Sequence, residues 1–153
     1  MKGTVLYAEY DESTGVSVVT KQTKYGTFTR SVRVHPQDKD IANQYDGCYF
    51  AELKCDIAAY KERAKFMRER AKGIQHAFDV ISYANDQINY PYVNSMSRDW
   101  YLLANQAYIA WHNAEQAYET YTILKESYNA LIETTLRQRR EMRERIKRKH
   151  QDN

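Results

Sequence analysis

Apolar residues recur along this chain in two long runs, at alternating steps of three and four. The first run is Phe50, Leu53, Ile57, Tyr60, Ala64, Met67, Ala71, Ile74, Phe78 and Ile81. The second is Trp100, Leu103, Ala107, Ala110, Ala114, Ala117, Tyr121, Leu124, Tyr128 and Leu131. Such spacing marks a helix with one apolar seam. Folding the chain back near Tyr90-Pro91 matches the two seams without a slip. Ile81 then meets Trp100, Phe78 meets Leu103, Ala64 meets Ala117 and Phe50 meets Leu131. Small residues in mid-seam let the helices approach to about 8 Å. Gly73 is the one internal weak point.

A different period governs the start of the chain. Thr4–Tyr10, Val16–Lys21 and Thr27–Val34 read as strands, with turn composition at Asp11–Gly15 and Lys24-Tyr25-Gly26. In the third, Phe28, Val32 and Val34 point one way and Thr27, Thr29, Ser31 and Arg33 the other. Three strands with one apolar face need a helix to cover them. His35-Pro36-Gln37-Asp38 ends the strand, with Asp38 and Asp40 suited to a helix N-terminus, and Gly47 offers a kink or restart.

The expected fold is therefore α+β and mostly α. A three-stranded antiparallel β-meander (1–35) precedes a long antiparallel, coiled-coil-like helical hairpin (36–136) with its tip near 85–95. A basic helical extension (137–153) follows, and residues 1–153 form one domain. That extension is read as a solvated helix end. It carries eight Lys/Arg against three acids, a charge of +5, which leaves −2 on the rest of a chain of net charge +3.

Composition narrows the function. Charged residues make up 28% and apolar residues 42%, a globular balance. Cys48 and Cys55, two helical turns apart, are about 10 Å from each other and out of disulfide range. Unpaired thiols and the lack of a membrane-spanning run point to a cytoplasmic protein with no membrane partner. No phosphate-binding glycine loop or nucleophile elbow is present, and the four histidines do not converge. Cys48 and Cys55 with Glu126 and Glu133 are the best metal set, but at a spacing unlike a zinc site. Glu52, Glu115 and Glu119 read as ordinary helix-surface charges. No enzyme, cofactor or metal is expected.

Three surfaces are candidates for binding. Tyr101, Ala104, Tyr108, Trp111 and Tyr118 form an apolar stripe off the second seam, suited to a partner protein or to a homodimer. Tyr90 and Tyr92 flank Pro91 at the hairpin tip, and exposed aromatics in loops favour binding. Arg137, Arg139, Arg140, Arg143, Arg145, Lys147, Arg148 and Lys149 form a basic cluster that suits nucleic acid. Lys61, Arg63, Lys65, Arg68, Arg70 and Lys72 form a second.

Thr23-Lys24-Tyr25-Gly26-Thr27-Phe28, His35-Pro36-Gln37-Asp38 and Asp46-Gly47-Cys48-Tyr49-Phe50-Ala51-Glu52 together resemble small proteins of phages and prophages of Gram-positive bacteria. The resemblance covers the N-terminal half and carries no catalytic residue. It implies a non-enzymatic protein that binds and inhibits a host defence nuclease in the host cytoplasm, in the manner of anti-CRISPR proteins, with a CRISPR effector as the candidate target. The alternatives are a nucleic-acid-binding phage accessory protein and a structural oligomerisation module.

Overall fold

A computed structural model describes residues 1–38, 41, 43–87 and 93–151. Strands β1 (Gly3–Asp11), β2 (Val16–Thr23) and β3 (Gly26–Arg33) form an antiparallel sheet in the order β1-β2-β3. A 3-10 turn at Pro36–Asp38 leads to helix α1 (Gln44–Gln87), and helix α2 (Val93–Gln151) follows. This is the α+β, mostly helical hairpin-and-meander fold that the periodicities predict. Two compact units divide the chain: residues 1–59 with 122–153, and residues 60–121.

Turn chemistry closes the meander. The Asp11 carboxylate accepts from the backbone N–H and hydroxyl of Ser13 and from the Thr14 hydroxyl. Those bonds, led by the two hydroxyls, hold its pKa down at about 2. Gly15 completes the turn at φ 67, where a side chain is strained. In β1 a bulge between Val5 and Tyr7 shifts the register.

In the first unit the central strand turns Ser17, Val19 and Lys21 inward. Val19 packs with Ala51 and Cys55 of α1, flanked by Phe28, Val32 and Cys48. Burying Val19 contributes about 1.5–3 kcal/mol. The small row Ala51, Cys55 and Ala59 is fully buried. Cys55 donates its thiol to the carbonyls of Val19 and Phe28. Burial raises its pKa. Both cysteines are free.

The helix starts cleanly. The Asn43 side-chain oxygen accepts the Asp46 N–H at 2.8 Å, and its amide returns a bond to the Asp46 carboxylate. This is reciprocal N-terminal capping. Gly47 does not restart the helix: it lies within α1, which runs unbroken from Gln44. Its bare Cα admits Ser17, whose Oγ and Cβ stand where a side chain would go.

Two further expectations need correction. Glu52 is no ordinary surface charge: with Asp56 it holds the Lys21 ammonium, at 2.7 Å and 2.9 Å. Lys21 is only 4% exposed. Burial pulls its pKa down, but the bonds to Glu52 and Asp56 outweigh that and raise it overall. Nor is the basic extension simply solvated. Arg139 pairs with Asp46 at 2.8 Å, and Arg140 pairs with Asp38, itself 3% exposed, at 2.6 Å. Both bonds tie α2 to the entry of α1.

Candidate binding face of the helical unit

Residues 60–121 form a two-helix unit built on alanines. Ala64 and Ala71 on α1 and Ala107, Ala114 and Ala117 on α2 are buried, all at seam positions. Trp100 fixes the stagger. Its ring lies 5.3 Å from that of Phe78, and its indole N–H donates to the Ser82 hydroxyl at 2.8 Å. The expected partner of Phe78 was Leu103, so the contact sits within one turn of that register.

Beside the seam runs an open groove of about 600 Å³. Lys61, Lys65, Arg68 and Lys72, with the acid Glu69, form its α1 wall. Trp111, Glu115, Tyr118 and Glu119 form its α2 wall, and Ala64 and Ala114 lie between. Positions 61, 65, 68 and 72 step by four, three and four, one stripe of a helix. Of the six bases in this cluster, those four reach the groove and Arg63 and Arg70 do not. Lys72 also pairs with Glu69 at 2.9 Å, and its hydrogen bond lowers the Glu69 pKa.

The predicted aromatic stripe lies on this side of α2. Tyr101 is 67%, Tyr108 72% and Tyr118 63% exposed, while Ala104 and Trp111 are half-buried. Local contacts hold the rings. Tyr101 meets Trp100 edge-on at 5.0 Å, Tyr108 stacks on His112, and Tyr118 lies against Tyr121. His112 in turn contacts Gln116 at 3.0 Å. Held rings lose little freedom on binding, which favours them as anchors. The other aromatic candidates, Tyr90 and Tyr92, lie outside the described residues.

The eight basic candidates of the extension do not act as one patch. Arg139 and Arg140 are committed to Asp46 and Asp38. Arg148 approaches Glu144 at 3.9 Å. Arg137, Arg145 and Lys147 are exposed, Arg143 is half-buried, and the Lys149 side chain is outside the description. Sequence reasoning missed the Arg139 and Arg140 pairings because nothing local signals them.

Among the described residues no group of three or more His, Cys, Asp or Glu is placed to hold a metal ion. The Cys55 thiol is spent on the carbonyls of the sheet, which removes it from any set with Glu126 and Glu133. No helix of the described residues is long and apolar enough to cross a membrane. Compared with family models, curated proteins and solved structures, the chain matches none.

Proposed function

We propose that this chain is a non-catalytic binding protein that acts by occupying a face of another polypeptide. One observation carries the reading: Tyr101, Tyr108 and Tyr118 stand exposed on one side of α2, next to the half-buried Trp111. Tyr and Trp are the residue types in which interface energy concentrates. A row of them at helical spacing, outside the packed seam, is surplus to folding. The resemblance of the N-terminal half to small phage proteins supplies the target class, a host defence nuclease such as a CRISPR effector, inhibited stoichiometrically. A nuclease-interference assay paired with a pull-down tests it, comparing the intact protein with Tyr101→Ala plus Tyr108→Ala. Equal inhibition by a folded double variant overturns the assignment of the face. Failure of the intact protein to bind or inhibit any host nuclease overturns the inhibitor reading.

A further inference from the structure

We infer that the groove of the helical unit seats a second copy of this chain, related by a two-fold axis parallel to the helices. This rests on the reading of that face as a binding surface and names its occupant. The argument is charge complementarity. The α1 wall carries Lys61, Lys65, Arg68 and Lys72, and the α2 wall carries Glu115 and Glu119, with apolar Trp111, Tyr118, Ala64 and Ala114 alongside. Glu69 also lines the α1 wall, where it pairs with Lys72, so that wall is net +3 and the α2 wall net −2.

The levels of these residues also match. Trp100 touches Phe78 and bonds to Ser82, so it stands level with the turn between them. About four helical turns further along each helix, Lys65 comes level with Glu115. One more turn brings Lys61 level with Glu119.

A closed homodimer is two-fold, and each patch faces its own copy. For two faces brought together, the axis can run along the helices or across them. Across them, the basic α1 wall faces its own copy and like charges oppose. Along them, the α1 wall of one protomer covers the α2 wall of its partner at the same height. Lys65 then faces Glu115 and Lys61 faces Glu119, and both pairs occur twice. Every neighbouring pair of helices in the resulting four-helix bundle is antiparallel, a common packing arrangement. Exposed ion pairs add little affinity by themselves; they select the axis, while Trp111 and Tyr118 supply the apolar contact.

All four charges are exposed on helix surfaces, so reversing them leaves the packed seam alone. Two variants test the pairing by sedimentation equilibrium: Lys61→Glu with Lys65→Glu, and Glu115→Lys with Glu119→Lys. The wild type is expected to be a dimer. Each variant alone places like charges face to face, and its self-association should weaken roughly tenfold or more. Mixed one to one, the variants restore both sets of opposite pairs and should form a heterodimer. If either reversal loses helicity by circular dichroism, Lys61→Gln with Lys65→Gln reads the same pairing as a several-fold weakening. A wild type that stays monomeric, reversals that dimerise like wild type, or a mixture that fails to associate each overturns the dimer. A monomer leaves the face open to a host target. A dimer whose aromatic variants leave nuclease inhibition unchanged overturns instead the assignment of the Tyr101 and Tyr108 face to the nuclease, so the two failures are distinct.

Discussion

Arg140 grips Asp38 across 102 residues of chain, with its Nε at 3.0 Å and an Nη at 2.6 Å from the same carboxylate oxygen. The carboxylate is buried and the guanidinium is more than half exposed. The loss therefore falls on Asp38. Arg140→Ala strands a buried charge and should cost about 1–3 kcal/mol, less where water reaches in. Arg145→Ala, on the exposed side of the same helix end, should stay within about 0.5 kcal/mol of wild type. Urea midpoints of the two variants decide. Equal midpoints would show that the Arg140–Asp38 contact does not hold the α2 end to the entry of α1.

Two helical glycines should respond in opposite directions to the same substitution. At Gly73 an added methyl meets nothing within 4 Å, and the position is exposed. Gly73→Ala should stabilise by about 0.5–1 kcal/mol through helix propensity. At Gly47 the methyl collides with Ser17. The overpacking, about 1–3 kcal/mol, outweighs the same propensity gain. Thermal unfolding should therefore move up for Gly73→Ala and down for Gly47→Ala. A rise for both would mean that Ser17 rotates away at little cost.

These cases mark what the sequence made legible. A heptad seam is written locally, at steps of three and four, and the buried Ala64, Ala71, Ala107, Ala114 and Ala117 fall on it. Strand alternation and turn residues are local too, so the meander could be read. The sheet-facing row Ala51, Cys55 and Ala59 was hidden because its residues are small and lie on a helix already assigned another apolar face. The contacts Lys21–Glu52, Arg139–Asp46 and Arg140–Asp38 join residues with no periodic relation to one another. Part of the binding face was legible as a row of aromatics. Its charged walls were visible only as a mixed cluster of bases and a few separate acids until the helices were set side by side.

Tyr128 makes the fold sensitive to alkali. Its ring meets Phe50 edge-on at 6.4 Å, and its hydroxyl is buried with no hydrogen-bond partner among the described residues. Burial pushes its pKa up to about 12. An unfolded tyrosine ionises near 10. Between about pH 10 and 12 the unfolded chain releases a proton that the folded chain keeps, so stability falls as pH rises. Lys21 acts the same way: its raised pKa gives stability present below the unfolded value and lost as pH climbs through the folded one. Tyr128→Phe removes the orphaned hydroxyl. At neutral pH its stability should equal wild type or exceed it by up to about 1 kcal/mol. Its loss of stability above about pH 10 should be shallower, with the Lys21 part remaining. Denaturant midpoints across that range check both points, and a slope equal to wild type would rule out Tyr128 as the source.

The last prediction concerns the aromatic row. Tyr101 and Tyr108 lie outside the packed seam, and their contacts are with neighbours on α2 itself. Truncating both should change folding stability by no more than about 0.5 kcal/mol each. An anchor at the centre of an interface is worth roughly 2 kcal/mol or more, about thirtyfold in affinity. The double variant should therefore keep its helical circular dichroism while partner binding falls by about two to three orders of magnitude, if both rings are anchors. Phe at both positions keeps the apolar area and should recover most of the affinity, unless the hydroxyls donate across the interface. Titration calorimetry against the captured partner separates these cases. Binding retained by the Ala variant would move the contact to the exposed bases Arg137, Arg145 and Lys147. In that event affinity for nucleic acid should fall linearly with the logarithm of salt concentration.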